Sequence, residues 1–215
     1  MYLNCHTTYS YRYGTLSEEA LLAAAAERGI SCLALTDINS TSAMLSFIRQ
    51  APKYGIRPVA GIDFRNGAKS CYIGLARNNE GYRELNTFLS YHRHRNLPFP
   101  EQAPELPHTF FIYPFSVLQD QQKLVWREDE RIGLLPSDLL RFRFSAYKNH
   151  QSRCVALLPV SFANKQEHNV HRLLRAIDNN MLLSKLPLSE QAPASEWFVD
   201  AETIQRVYAD LPGIL

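Results

Sequence analysis

The 215-residue sequence predicts an α/β fold on a largely parallel sheet, open or closed as a barrel. Short apolar runs of strand length alternate with segments whose apolar residues recur at helical spacing. Early runs at residues 1–3, 32–35 and 58–60 each close on a tripeptide: Asn4-Cys5-His6, Thr36-Asp37-Ile38 and Gly61-Ile62-Asp63. Barrels of this class keep their chemistry at the C-terminal ends of the strands, so these tripeptides mark a candidate rim.

The elements follow in order. Thr15-Leu16-Ser17-Glu18 reads as a capping box ahead of a helix over 19–28, which Gly29 stops. A strand at 32–36 leads to a second helix beginning at 39–41, with Met44, Leu45 and Ile48 on one face and Pro52 as its terminator. Gly55 turns the chain into a strand at 59–64, and a turn at Asn66-Gly67 precedes another at 71–76. Asn78 and Asn79 are caps for a helix carrying Tyr82, Leu85, Phe88 and Leu89 on one side. Residues 96–108 read as a loop, 109–113 as an aromatic strand and 119–131 as irregular. A helix over 136–147, a strand over 154–158, and helices over 165–178 and 201–209 complete the chain.

Composition narrows the function classes. Hydrophobic residues make up 46% and charged residues 20%, ordinary for a globular domain large enough to bury a core. With 23 basic and 21 acidic residues, the net charge of +2 is too balanced to imply nucleic-acid binding by bulk electrostatics. No apolar run approaches the ~20 residues of a membrane span, and no secretory leader is read. Cys5, Cys32, Cys71 and Cys154 are widely separated without a C-x₂-C pair, as expected of buried reduced thiols in a cytoplasmic protein.

The run from Asn4 to Ser10, followed by Gly14, resembles the opening His-x-His-Ser-x-Tyr-Ser motif of PHP (polymerase and histidinol phosphatase) domains. Leu35-Thr36-Asp37 resembles the second motif of that family, and the six residues from Pro58 to Asp63 the third. Residues 71–79 with Gly81, Tyr82 and Leu85 are similar to a segment of bacterial DNA polymerase III alpha subunits. So are residues 171–177 and the ending Tyr208-Ala209-Asp210-Leu211-Pro212. The resemblance implies a distorted (β/α)7 TIM-like barrel of the PHP type spanning 1–215. It implies an N-terminal fragment, with the polymerase palm, fingers and thumb lying beyond it.

Intact PHP sites resemble a three-metal cluster of His, Asp and Glu ligands that hydrolyses phosphoesters with metal-activated water. On that resemblance, the first His of the opening pair falls at Asn4 and the second at His6. The next ligand falls at Tyr13, and the second motif's His at Ile38. The third motif's Glu is Asp63, and the following strand's His is Cys71. A later ligand maps near Ser116, and the final Asp-x-His pair falls at Pro159 and Ser161. The donors retained are His6, Asp63 and Cys71, enough for at most one zinc. The expectation is a degenerate site with no catalytic residue and no cofactor in this fragment, Mg²⁺ belonging to the absent palm.

Two further patterns stand out. His168 and His171 lie at i, i+3 on a helix without a carboxylate motif beside them, and His92 and His94 belong to a solvated helix end. Arg141-Phe142-Arg143-Phe144, with Lys148, His150 and Arg153 beyond, is a basic stretch interleaved with aromatics. Arg141, Arg143 and Lys148 are therefore candidate contacts to single-stranded nucleic acid, although a helix with a solvated basic face accounts for the same letters. The function expected is a scaffold within a replicative polymerase. Its partners would be the rest of the alpha subunit and the proofreading exonuclease subunit, with the sliding clamp and DNA reached through the absent regions. The alternatives are a metal-dependent phosphoesterase or proofreading nuclease with a reduced site, and a single-strand-binding module.

Overall fold

Cys32-Leu33-Ala34-Leu35 is apolar at every position and is buried throughout, as a strand covered on both faces requires. In chain order the strands are Tyr2–Cys5 (β1), Cys32–Leu35 (β2), Arg57–Asn66 (β3), Lys69–Ala76 (β4), Thr109–Pro114 (β5), Glu130–Leu134 (β6), Cys154–Ala156 (β7) and Pro159–Val160 (β8). The α-helices are Glu18–Glu27 (α1), Met44–Gln50 (α2), Asn79–His94 (α3), Phe115–Gln121 (α4), Leu139–Arg143 (α5), Lys165–Asp178 (α6) and Ala201–Val207 (α7). This computed structural model describes residues 1–121, 123, 125–211 and 213–214. They divide into a first unit of Met1–Ile62 with Pro159–Phe198 and a second of Asp63–Leu158 with Val199–Leu215.

In the first unit the strands run β8-β1-β2-β3, and the β1–β8, β1–β2 and β2–β3 pairs are parallel. Helix α1 buries Leu21, Leu22 and Ala25. Its end is a Schellman motif: Gly29 N–H donates to Ala26 O and Ile30 N–H to Ala25 O, with Gly29 at φ +67°. The start differs from the capping-box expectation. Ser17, not Thr15, is the N-cap, and its hydroxyl accepts from Ala20 N–H at 3.1 Å. Thr15 instead donates toward the Glu167 carboxylate at 3.0 Å.

Helix α2 corrects its expected face as well. Met44 and Phe47 are buried, whereas Leu45 is 69% and Ile48 38% exposed. The helix begins at Met44 rather than at 39–41, and Pro52 sits in the 3-10 turn Ala51–Tyr54 that follows it. That turn closes at Gly55 in the left-handed region, as the sequence indicates.

In the second unit the order is β3-β4-β5-β6-β7. β4 follows β3 through a tight turn at residues 67–68, and β4–β5 is antiparallel while β5–β6 and β6–β7 are parallel. The largely parallel pairing expected from the sequence is interrupted here by the antiparallel β4–β5 pair. The core is aromatic. Tyr72 packs against Phe64 and Phe111, each at 5.5 Å between ring centroids, and against Tyr113 at 5.9 Å. Asn78 caps α3 by accepting from Gly81 N–H at 3.0 Å, and Leu85 and Leu89 are buried with Tyr82 and Phe88 half-buried beside them.

Most of 119–131 is irregular as expected: α4 ends at Gln121, β6 begins at Glu130, and residues 123 and 125–129 lie in neither, while Gln122 and Leu124 lie outside the described residues. Two later segments differ from their sequence reading. The long helix expected over 136–147 is a short 3-10 turn and then α5, which ends at Arg143. The strand expected over 154–158 stops at Ala156, and β8 follows after it. Helix α6 has the expected bounds, and α7 ends at Val207 rather than 209. Pro212, at the end of the last family-like segment, lies outside the described residues.

Candidate functional site

Parallel pairing aligns the ends of three strands in the first unit. Cys5 registers with Leu35 on one side and with Val160 on the other. The residues that follow, His6, Thr36-Asp37 and Ser161, therefore emerge together, and all four are buried to within 1% exposure. This is the rim the sequence pointed to, but it is sealed.

Asp37 is its most heavily bonded group. Oδ1 accepts from Thr7 N–H at 2.6 Å and from the Ser10 hydroxyl at 2.7 Å, while Oδ2 accepts from the Thr7 hydroxyl at 2.7 Å. Ser10 Oγ in turn accepts from Ile38 N–H at 2.9 Å, which locks the segment after β1 onto the segment after β2. Burial pushes the Asp37 carboxyl above its ordinary value, against the pull of the Ser10 and Thr7 hydrogen bonds and of His6. The same segment leaves no room beside Gly14, where a Cβ would stand 2.0 Å from the Thr7 carbonyl oxygen. Gly14→Ala is expected to lower stability by about 1–3 kcal/mol through forced backbone movement. Urea denaturation reads the change, and an unshifted midpoint would contradict it.

His6 has become part of an internal chain. Ser161 Oγ donates to Glu196 Oε2 at 2.6 Å, so its lone pair accepts from His6 Nδ1–H at 2.9 Å. The His6 ring stands edge-on to Tyr13, at 5.5 Å between centroids. Tyr13, Phe162 and Ala192 form a buried cluster against which Ile38 packs. Asn4, also buried, accepts from the Thr36 hydroxyl at 2.7 Å. Asn4, Tyr13, Ile38 and Ser161, four of the mapped positions, thus serve packing and hydrogen bonding.

His171 has both ring nitrogens engaged. The Tyr13 carbonyl can only accept, so Nδ1–H donates to it at 2.7 Å; Nε2 accepts from Ala192 N–H at 2.8 Å. The ring is neutral in this arrangement, and burial drives its pKa down to about 4. His168 stacks on it at 6.0 Å, its Nε2 lying 3.2 Å from Ala192 O. The i, i+3 histidine pair is therefore a clamp on the chain around Ala192.

In the second unit, Asp63 is 1% exposed, and its Oδ2 accepts from Arg65 Nε at 2.9 Å and Nη2 at 2.7 Å. Cys71 lies close enough to that carboxylate to feel its charge, and burial first, then Asp63, raise the thiol above its ordinary value. Ser116 is exposed on α4, and Pro159 opens β8.

These residues do not fit a multi-metal cluster. Asn4 and Ser161 are committed to neighbours, Ile38 and Pro159 carry no side-chain donor, and Asp63 already faces a guanidinium. Among the described residues, no group of three or more His, Cys, Asp or Glu side chains is placed to hold a metal.

The other sequence features resolve differently. His92 is half-buried rather than solvated, its ring 4.5 Å from Phe88 and 5.1 Å from Phe99. Arg141 is paired with Asp138 at 2.5 Å and Arg143 with Asp210, while Lys148 is exposed. Phe142 points into the core at 1% exposure, so the basic-aromatic stretch does not present its rings together. All four cysteines are buried and unbridged, and burial lifts Cys154 to about 12.

Sequence reasoning missed Glu196, Arg65 and the structural use of His171. Glu196 reaches Ser161 across 35 residues, and nothing local in its neighbourhood signals that partner.

The PHP domain family model matches residues 3–124. The chain is similar to an error-prone DNA polymerase from Symbiobacterium thermophilum, 28% identical over 75% of this chain and 16% of that protein. It is similar to a DNA polymerase III subunit alpha from Haemophilus influenzae, 24% identical over 100% of this chain and 22% of that protein. The chain thus spans no more than about a fifth of these relatives. A solved amidohydrolase from Chromobacterium violaceum overlaps 44% of this chain and 34% of its own, at 24% identity and a TM-score of 0.36. No helix among the described residues is long and apolar enough to cross a membrane. With the motif residues at aligned strand ends and more than half of the sequence matched, this chain belongs to the PHP domain family.

Proposed function

We propose that the chain is the PHP region of a cytoplasmic replicative polymerase alpha subunit, spanning residues 1–215, in which the metal site is degenerate and the domain acts as a scaffold. Its partners on this reading are the remainder of the subunit and a proofreading exonuclease subunit, and polymerisation belongs to the missing regions. The observation that carries it is the Arg65–Asp63 pair. A guanidinium fixed two residues along the same strand supplies the positive charge that a carboxylate at this motif position would otherwise draw from a divalent ion.

The test is elemental analysis of protein purified without chelators. The expected result is less than one equivalent of zinc, manganese or iron per chain. Two or three equivalents would overturn the reading. So would manganese-dependent hydrolysis of a generic phosphoester that disappears in Asp63→Ala, because that is the behaviour of a self-standing phosphoesterase.

A further inference from the structure

Helix α6 is apolar on its outer side as well as its inner one. The inner side buries His171, Arg175 and Ala176. Opposite them, Val170, Leu173 and Ile177 are 47%, 48% and 65% exposed, with Leu174 half-buried beside them. Their i, i+3 and i+7 spacing puts the three in one stripe. The helix closes in a Schellman motif, with Asn180 at φ +49° and Met181 N–H donating to Ala176 O at 3.0 Å. Met181 and Leu182, 37% and 66% exposed, carry the apolar surface past the helix end.

The solvated face of a helix is ordinarily charged. This one is not. At about 100° per residue, Lys165, Glu167, Arg172, Arg175 and Asp178 all stand roughly 90° or more around the helix from the stripe. Most are already engaged within the chain. Glu167 accepts from the Thr15 hydroxyl and Ala163 N–H, Arg172 donates to Gln191, and Asp178 accepts from Arg12 and Arg175. The exposed edges of the stripe are the neutral Gln166 and Asn169. A charged partner therefore finds nothing on it to pair with.

The chain supplies a match of its own. Laid antiparallel about a two-fold axis at Leu173 and Leu174, two copies of α6 set Val170 against Ile177 twice, a smaller apolar side chain against a larger one. No like charges meet, the helix dipoles run opposed, and a net charge of +2 repels a second copy little. The five exposed side chains amount to roughly 450 Å² of apolar surface, the size at which a patch on a monomer is commonly functional. Joining two copies removes roughly 900 Å² of it, and the flanking polar side chains bring the total toward the ~1,200 Å² at which specific interfaces begin.

We propose that the outer face of α6 pairs with the same face of a second copy of this chain, giving a weak two-fold dimer. The proposal does not rest on the scaffold reading.

The test is sedimentation velocity of the chain from about 1 to 200 µM, a range that spans a weak association. The expected result is a monomer at the low end and a dimer gaining population with concentration. Leu173→Lys with Ile177→Lys is expected to stay monomeric throughout, because the pairing would bury unpaired ammonium groups. Both positions face solvent in the single chain, and circular dichroism checks that the variants keep their helix content. Mixing tests the pairing itself. Val170→Glu and Ile177→Lys are each expected to self-associate at least about ten-fold more weakly than the parent, and a mixture of the two to associate more tightly than either alone. A chain that remains monomeric at every concentration overturns the proposal. A dimer indifferent to the double lysine variant, or a mixture no tighter than its components, does so equally.

Discussion

Asp37→Ala is expected to destabilise the chain by about 3–5 kcal/mol, among the largest effects of any single substitution here. The change strands three donors at once: Thr7 N–H, the Thr7 hydroxyl and the Ser10 hydroxyl, with both residues fully buried. Each donor left without an acceptor costs about 1–3 kcal/mol, and partial relaxation keeps the total below the sum. Asp37→Asn should be milder, at about 1–2 kcal/mol. It keeps one oxygen for Thr7 N–H and Ser10, and the Thr7 hydroxyl can rotate to accept from the new amide. Chemical denaturation of the three proteins separates the cases. If Asp37→Ala unfolds within about 0.5 kcal/mol of the parent, Asp37 is not the tie that holds the two strand ends.

Acid should weaken the first unit through His171. Its folded pKa of about 4 lies below the ordinary histidine value of 6.5, so between those two pH values the unfolded chain takes up a proton that the folded chain refuses. Stability is therefore unaffected by this group above about 6.5. It declines as pH falls and levels off below about 4, with a total loss of about 3 kcal/mol. The cause is mainly burial. The bond to the Tyr13 carbonyl works the other way, and the neighbouring His168, Arg175 and His6 add to the depression. A proton on Nε2 would also turn the acceptor for Ala192 N–H into a second donor. Asp37 acts in the opposite sense, since its raised carboxyl takes up a proton more readily when folded. Comparing denaturant midpoints against pH for the parent and His171→Gln isolates the histidine. Parallel curves across that window would remove it as the cause.

The alternating pattern of apolar runs and helical stretches was enough to place most elements, because burial on one face or two leaves its period in the letters. The bounds of α6 and the Asn78 cap of α3 were legible for that reason. Helix α2 was misread because Leu45 and Ile48 are apolar but exposed, and apolar letters alone do not say which face is covered. Strand β6 was hidden by its own chemistry. Glu130 begins it fully buried, held by Lys123 at 2.9 Å and by Arg127 N–H at 2.8 Å, so a core residue carries the signature of a loop. The family resemblance singled out Asn4, His6, Ile38 and Asp63, but not the neighbours that hold them. The Glu196–Ser161–His6 chain joins segments 35 and 155 residues apart, and a sequence read in windows cannot register such pairs.

The Arg65–Asp63 pair bears on how the chain matures. A buried carboxylate whose counter-charge must be captured from solution folds only as fast, and as completely, as the ion supply permits. Here Arg65 follows Asp63 by two residues in the same strand, so one short segment carries both the anion and its cation. The counter-charge that this carboxylate meets is written into the same strand, two residues away.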